Sequence, residues 1–349
     1  MKRKILTLVS LILVTSMLAG CTGPWSIYGR LKDLIFGEDE NYAETYADEG
    51  YAQWAEEPVP VETYGAVEEY AESSTGPASS ITADKDLTGG AVTPQEEVYV
   101  SNAYELIDAI ESDRIIHLKP GTYNITEAIM GLDMISFDEQ YKIQGPLVGA
   151  SERFDGNELM LVNIDNLTIM CDDVSKQAEL VCEPRYANVI DFYNCTNISL
   201  YNIVAGHTPD RGSCAGDVLN FESCDEITLS IVDLYGCGTY GIGSLDSKNI
   251  LCRMSKIRDC SYGLVDFCMT ENVVFDDCTF TFDEGYSQIE CRSESQVTFN
   301  NCVFQDRGSN SDFVFITDDS VLVFKGCTFD ITTRKSLKQA ESNNVVVIN

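Results

Sequence analysis

Four carboxylates in the second half of the chain stand where acid–base chemistry could occur. Asp191, Asp266 and Glu290 each lie between two apolar neighbours. This alternation is typical of a strand with one buried face, so each carboxylate is expected to point away from the core. Asp217 ends a polar loop just before another such strand. Two carboxylates at a defined separation are what the hydrolysis of a glycosidic bond requires.

A polar insertion near these carboxylates is a second source of candidates. The segment 206–217 interrupts an otherwise regular pattern, and glycine-rich corners that contain tyrosines follow it. Aromatic faces stack on sugar rings, while charged and fork-shaped donors bind hydroxyl groups, so the region is predicted to form a sugar-binding shelf. The candidate ligand-binding residues are His207, Asp210, Arg211, Asp217, Tyr235, Tyr240, Asp191, Asp266 and Glu290.

The same residues also admit a purely structural interpretation. His207 and Arg211 could hold a corner of the fold against neighbouring carboxylates, since inserted loops often serve only as covers. A stacked column of acids can likewise arise from the need for solubility. His117, the second histidine, is one polar position in a strand pattern and is expected at the surface.

The elements that must position these residues form a repeat. Residues 273–280, 297–304 and 322–329 share the pattern apolar, any, Phe, polar, polar or Gly, Cys, any, Phe. Each copy reads as two short strands joined by a corner, and a recurrent period of this size predicts a solenoid. The apolar residue that starts each unit recurs, with final spacings of 23 to 25 residues, at Leu167, Ile198, Ile227, Ile250, Val273, Val297 and Leu322.

A segment ahead of the repeat resembles a known family. Asn102 and Glu105 have the spacing of a capping box, which predicts a short helix over 103–110. Residues 118–123 then read Leu-Lys-Pro-Gly-Thr-Tyr. This passage resembles the first coil of pectate-lyase-like right-handed parallel β-helices. The resemblance implies an all-β fold, a single-stranded right-handed parallel β-helix (solenoid) with a short N-terminal capping helix.

Asparagines precede four of the repeat starts. They resemble the asparagine ladders of these β-helices, because asparagine tolerates the left-handed conformation of a tight bend. Their amides are expected to bond the backbone of the next coil. These residues are Asn166, Asn197, Asn249 and Asn272.

The resemblance does not extend to catalytic signatures. Lyases of this fold bind Ca²⁺ through clustered acids and use an Arg or Lys as base, for which Arg211 or Arg292 could be proposed. The Asn-Thr-Asp and Gly-His-Gly sequences of polygalacturonases are absent. The catalytic residues therefore stay unassigned, and no metal site is assigned. If the protein is an enzyme, a polysaccharide lyase or a glycoside hydrolase is expected.

The charge balance restricts the partners. The chain has 23 basic and 56 acidic side chains, with a formal net charge of −33. Nucleic acid is excluded, because phosphate binding needs clustered Lys and Arg. Polyuronates are also repelled unless Ca²⁺ bridges them, so Ca²⁺ is the one cofactor left open, and a neutral glycan needs none. The 14 cysteines leave disulfide pairing open.

The first residues predict the cellular location. Lys2–Lys4 precede an apolar run, Ile5–Leu18, that is too short to span a bilayer. The run ends in Leu-Ala-Gly-Cys21, which resembles the bacterial lipoprotein signal and implies cleavage before Cys21 and a lipid on its sulfur. An ordinary secretory signal is the alternative.

Three regions follow from this interpretation. Residues 1–20 are predicted to be a lipoprotein signal peptide, 21–97 a lipid-anchored, acidic, disordered tether, and 98–349 the β-helix domain. The protein is expected in the bacterial cell envelope, where its lipid anchor is its only membrane contact and the β-helix is exposed outside the cytoplasm. We expect this domain to bind a polysaccharide, and the sequence leaves open whether it also cleaves it. The alternative is a non-catalytic structural or adhesive surface rod with a protein or cell-wall partner.

Overall fold

The computed structural model describes residues 95–210, 215–236, 238–283, 285–308, 312–317, 319–330 and 344–348, together with Thr333 and Leu337. The predicted signal peptide, Cys21 and almost all of the predicted tether lie outside these residues. Within them, three sheets of parallel strands wind around one core, and the fold is the right-handed parallel β-helix that the sequence predicts. No helix in this part is long and apolar enough to cross a membrane.

Sheet 1 contains the repeat starts, and each of them pairs with the corresponding residue of the next coil. Its first strand begins at Glu96, two residues before the predicted start of the domain. In spatial order its strands are β1 (Glu96–Val100), β2 (Arg114–Leu118), β6 (Asp165–Cys171), β9 (Thr196–Tyr201), β12 (Asp225–Ser230), β15 (Lys248–Arg253), β18 (Glu271–Asp276), β21 (Gln296–Asn300), β24 (Val321–Lys325) and β26 (Val345–Ile348).

Sheet 2 follows sheet 1 around each coil, after the polar bend. Its strands are β3 (Gly121–Asn124), β7 (Ala178–Cys182), β10 (Ile203–His207), β13 (Asp233–Tyr235), β16 (Lys256–Arg258), β19 (Thr279–Phe282), β22 (Val303–Asp306) and β25 (Thr328–Phe329).

Sheet 3 completes the coil, and its outer face carries the predicted carboxylates. Its strands are β4 (Leu147–Arg153), β5 (Gly156–Val162), β8 (Ile190–Tyr193), β11 (Leu219–Glu222), β14 (Ile242–Leu245), β17 (Val265–Cys268), β20 (Ser287–Arg292) and β23 (Asp312–Ile316). The pair β4–β5 is antiparallel, unlike the other strand pairs of the described coils. The sequence does not predict this hairpin.

The core consists of the columns that the repeat predicts. The repeat starts are at most 1% exposed, from Leu167 to Leu322. Phenylalanines stack above one another at coil spacing, with ring centroids 4.8 Å apart between Phe275 and Phe299 and 5.1 Å apart between Phe299 and Phe324. The buried side chains of successive coils thus form one continuous core.

The predicted asparagine ladder is present, with side-chain partners in place of backbone ones. Asn166, Asn197, Asn249 and Asn272 have φ values of 56°, 53°, 57° and 53°. The Asn197 amide donates to Asn166 Oδ1 at 2.8 Å, and the Asn272 amide to Asn249 Oδ1 at 2.7 Å. Equal backbone conformations on adjacent coils bring the amides face to face, so they bond each other. Glu226 takes this position between the two pairs.

Three short helices lie at the N-terminal end: α1 (Ala103–Ala109), α2 (Ile125–Ala128) and α3 (Phe137–Gln140). The capping box of α1 is present in a shifted form. Asn102 Oδ1 accepts from the Glu105 N–H at 3.0 Å, as predicted, while the Glu105 carboxylate accepts from the Ser101 N–H at 2.7 Å. Both interactions satisfy N–H groups at the start of the helix.

Candidate functional site

The outer face of sheet 3 has a column of five residues, four of them polar, that we call the acidic row: Asp191, Asn220, Gly243, Asp266 and Glu290. Strand pairing places each of these residues directly beside the next. Their apolar neighbours, such as Ile190 and Phe192, are buried on the inner face, as the alternation predicts. Because parallel strands lie about 4.8 Å apart, the row is a line of side chains at that spacing.

Asp217 reaches into the row from the preceding loop, and Gly243 makes room for it. A Cβ at position 243 would overlap the Asp217 carboxylate and lie 3.1 Å from Asn220 Oδ1. Asp217 Oδ1 accepts from the Tyr240 N–H at 3.0 Å, and the Asp217 N–H donates to Asn188 Oδ1 at 2.7 Å. The glycine of the row is therefore the position above which a fourth carboxylate lies.

The pKa of the Asp217 carboxyl is shifted upwards. Burial raises its pKa well above the usual range, and the negative charge of Asp266 raises it further. Among the described residues, the Tyr240 N–H is the hydrogen-bond donor to this carboxyl. A carboxyl that keeps its proton near neutral pH is suited to act as a general acid.

Asp266 lies one strand further along the row and has a cationic partner. Its Oδ2 accepts from Arg292 at 2.5 Å, and Arg292 Nε lies 3.5 Å from Glu290 Oε2. Burial raises the pKa of Asp266, while the Arg292 charge acts in the opposite direction. Asp266 Oδ1 is buried and has no hydrogen-bond partner among the described residues. The row thus places a carboxyl paired with a cation beside Asp217, whose pKa is raised.

Asp191 ends the row beside the antiparallel hairpin. It accepts from the Asn220 amide at 2.7 Å, and Arg153 of β4 lies 4.0 Å from its Oδ2. Arg153 also pairs with Glu158 of β5, whose side chain is fully buried. Burial, with the nearby Glu158 charge, raises the pKa of Asp191 to about 8. The sequence interpretation missed Arg153 and Glu158, because the hairpin lies outside the repeat pattern.

A tyrosine ladder borders the row on the side of the glycine-rich corners. Ring centroids are 6.4 Å apart between Tyr240 and Tyr262 and 4.5 Å apart between Tyr262 and Tyr286. The Tyr240 hydroxyl donates to Glu290 Oε1 at 2.7 Å, and the Tyr286 side chain is 66% exposed. Tyr286 was not among the predicted site residues, although it stands next to a glycine, as Tyr240 and Tyr262 do, with the order of the two residues reversed.

Residues 130–146 cover the outer face of sheet 3 at the hairpin end. Tyr141 packs edge-on against Tyr193, with centroids 5.3 Å apart, and its hydroxyl donates to Glu222 at 3.2 Å. A cavity of about 410 Å³ lies between this segment and β4, beside Arg153. It is lined by Met134, Ile135, Ser136, Glu139, Ser151, Glu152 and Arg153. The covering segment gives the acidic row a wall at one end.

The structure places His207 away from the row. β10 extends through His207, so the strand alternation turns its ring inward with Ile203 and Ala205, and the residue is 2% exposed. Its Nε2 lies 2.9 Å from the Ala187 carbonyl oxygen, and burial lowers its pKa. A ligand on the outer face would not meet this ring. This placement is closer to the interpretation in which His207 holds a corner of the fold, although the partner of the ring is a backbone carbonyl and not a carboxylate.

The remaining predicted residues are dispersed. Tyr235 lies on the outer face of sheet 2, where its hydroxyl donates to Glu179 at 2.8 Å and the Arg258 guanidinium lies 4.7 Å from its ring centroid. Asp210 is exposed, and Arg211 lies outside the described residues. The structure therefore brings together Asp191, Asp217, Tyr240, Asp266 and Glu290, and separates Tyr235 and His207 from them.

The grouped carboxyls differ in environment, and this difference defines their chemistry. Burial raises the pKa of both Asp217 and Asp266, but only at Asp266 does the Arg292 charge act in the opposite direction. Carboxyls whose pKa values are separated in this way divide into an acid and a base or nucleophile. In the part of the chain that the structure describes, no three His, Cys, Asp or Glu side chains converge tightly enough to hold a metal ion.

A comparison with protein-family models agrees with the fold. Residues 190–349 match the family model described as "right handed beta helix region". An alginate lyase structure from Paenibacillus sp. str. FPU-7 is 11% identical, covers 72% of this chain and 99% of its own, and has a TM-score of 0.37. The structure of pectate lyase Pel9A is 10% identical, with coverages of 69% and 78% and a TM-score of 0.36. No curated protein matches the chain. The fold of the described residues is a right-handed parallel β-helix.

Proposed function

We propose that this protein binds a neutral polysaccharide along the acidic row and hydrolyses it with Asp217 as the general acid. The observation that carries the proposal is that the Asp217 carboxyl, whose pKa burial raises well above its usual range, lies over Gly243, the neighbour in the acidic row of the Arg292-bound Asp266. Asp217 donates its proton to the glycosidic oxygen, and Asp266 supplies the second carboxylate, which activates water or attacks the sugar. The exposed Tyr286 ring offers a face for sugar stacking.

The charge of the chain supports a neutral glycan. The formal net charge is −33, and the two arginines beside the acidic row already pair with carboxylates. A polyuronate would be repelled by this net charge, unless Ca²⁺ bridged the two. A neutral chain meets no such repulsion and can use the same oxygens as hydrogen-bond acceptors.

The proposal includes a place in the cell. The signal-like residues 2–21 support a lipoprotein that is anchored in the bacterial envelope through Cys21, with the β-helix outside the cytoplasm. Metabolic labelling with a radioactive fatty acid tests this location. Label is expected on the protein and is expected to disappear in Cys21→Ser. Label that persists in that variant would contradict the anchor.

A non-catalytic rod is the competing function, and one observation favours it. Asp191, Asp266 and Glu290 each have a partner within the site: Asn220, Arg292 and Tyr240. A purely structural ladder would show such bonds too. The two functions differ in one respect, because only the hydrolase requires the Asp217 proton.

A polysaccharide panel separates the two functions. The full-length protein is incubated with neutral and acidic polysaccharides, with and without Ca²⁺, and bound glycan, reducing ends and unsaturated uronates are measured. We expect the protein to release reducing ends from a neutral polysaccharide. In Asp217→Asn the rate of this release should fall by about 10²–10⁴-fold, while binding of the polysaccharide is retained. Asp108→Asn, on the exposed face of α1, is the matched control. Binding without any cleavage would favour the rod, and unsaturated uronates would indicate a lyase.

A further inference from the structure

Three cysteines occupy equivalent positions on the last coils and form what we call the thiol ladder: Cys278, Cys302 and Cys327. Each stands directly before a strand of sheet 2, and those strands pair in register. The Val303 N–H donates to the Cys278 carbonyl at 2.9 Å, and the Thr328 N–H to the Cys302 carbonyl at 2.8 Å. All three side chains are free thiols.

The backbone turns these thiols in the same direction. Asp277, Asn301 and Gly326 precede them with φ values of 52°, 51° and 61°, so each bend is left-handed. Cys302 Sγ lies 3.7 Å from the Phe275 carbonyl oxygen, and Cys327 Sγ lies 3.3 Å from that of Phe299, one coil later. Adjacent coils lie about 4.8 Å apart, which falls within the Cα–Cα separation of roughly 4.4–6.8 Å that a disulfide spans.

Cys327 is the member of the ladder that a reagent can reach. Cys278 and Cys302 are buried, whereas Cys327, which stands before the terminal strand of sheet 2, is partly exposed. The neighbouring Cys302 thiol lowers the pKa of Cys327. The thiolate is the reactive form of cysteine, so the accessible sulfur is also the activated one.

We propose that Cys327 and Cys302 are a redox-active pair, in which a small-molecule disulfide oxidises Cys327 and the bond is then transferred to Cys302. The Cys327 thiolate attacks one sulfur of the reagent, for example oxidised glutathione, and releases one glutathione thiolate. Cys302 loses its proton and attacks the Cys327 sulfur, which releases the second glutathione. Two cysteine thiols are thereby oxidised to one disulfide, and the reagent disulfide is reduced to two thiols.

The bond would join the corners that precede β22 and β25, the last two strands of sheet 2. β25 lies at the end of that sheet, where β22 is its one neighbouring strand in the described part of the chain. Terminal repeats open first in solenoids, because they lack the second interface. Oxidation is therefore expected to slow amide hydrogen exchange at Thr328 and Phe329. This inference is independent of the proposed polysaccharide function.

The experiment uses the full-length protein, which is first reduced and then exposed to oxidised glutathione. Non-reducing peptide mapping by mass spectrometry is expected to show a Cys302–Cys327 peptide pair that lacks two hydrogen atoms. Hydrogen exchange at residues 328–329 is measured on the same samples. In Cys302→Ala, a stable glutathione adduct on Cys327 is expected, because the second attack is no longer available.

Matched controls decide the outcome. Cys195→Ser removes a buried thiol elsewhere in the core and should leave the Cys302–Cys327 bond unchanged. A stable glutathione adduct on Cys327 in the unsubstituted protein would overturn the proposal, as would a disulfide between Cys278 and Cys302 in place of the expected one. Complete absence of oxidation at Cys327 would overturn it too, and this readout does not depend on any variant folding.

Discussion

Replacing Gly243 by alanine tests the arrangement of the acidic row at its tightest point. The added Cβ would overlap the Asp217 carboxylate, whose position is fixed by the Tyr240 N–H and by the Asn188 side chain on the Asp217 N–H. The carboxylate must move, because strand pairing holds Gly243 between Asn220 and Asp266.

Gly243→Ala should act in two ways, by overpacking the site and by displacing the Asp217 carboxyl. An extra methyl group in a packed site typically costs about 1–3 kcal/mol of the free energy of unfolding. This corresponds to roughly 2–4 °C in Tm per kcal/mol for a domain of this size. A displacement of about 1 Å in a catalytic group costs on the order of 10²-fold in rate. Gly243→Ala should therefore lose both stability and cleavage activity.

Urea denaturation and the reducing-end assay measure the two effects. Gly131→Ala is the matched control, because a Cβ at position 131 meets no atom within 4 Å. The double variant Gly243→Ala with Asp217→Ala should regain stability relative to Gly243→Ala alone, since the overlapping carboxylate is gone. A Gly243→Ala protein with the unfolding free energy and activity of the unsubstituted chain would refute the reasoning.

Three further predictions concern the pH dependence of stability, the asparagine ladder and the exposed Tyr286. Burial raises the folded-state pKa of Asp191 to about 8 from its ordinary 3.8, so its contribution to stability is complete below about pH 4 and is lost as the pH rises through 8. The urea midpoint should therefore fall less over this pH range in Asp191→Asn than in the unsubstituted protein. Equal slopes of the midpoint against pH in the two proteins would contradict the raised pKa. Asn197→Ala should lower the free energy of unfolding by about 1–2 kcal/mol, because alanine is unfavourable at a φ of 53°, whereas Asn197→Gly, which tolerates that φ, should lose less. Tyr286→Ala should weaken glycan binding by about 1 kcal/mol, or roughly fivefold, in a calorimetric titration, while Tyr104→Ala on α1 should bind normally.

The repeat allowed the core and the outward row to be predicted in detail. A period of two along each strand assigns every side chain to a face, and a fixed interval between coils assigns it to a column. Ile190, Asp191 and their equivalents follow from these two periods alone. The left-handed asparagines follow from the chemistry of a tight bend.

The parts of the site that depend on non-periodic contacts could not be predicted. His207 was assigned to a loop, but β10 continues through it and the ring points inward. The β4–β5 hairpin adds Arg153 and Glu158, and its antiparallel pairing has no signature in the repeat interval. The Asp217 carboxylate occupies the space that a side chain at position 243 would fill. This depends on the conformation of the loop that ends at Asp217, which the local sequence does not determine.

A crystal structure of the Asp217→Asn protein with an oligosaccharide of the best-bound neutral polysaccharide tests the central claim most directly. The account predicts the sugar along the outer face of sheet 3, near the Tyr286 ring, with a glycosidic oxygen within hydrogen-bonding distance of residue 217. A sugar bound beside Tyr235 on sheet 2, or at an end of the solenoid, would contradict the claim.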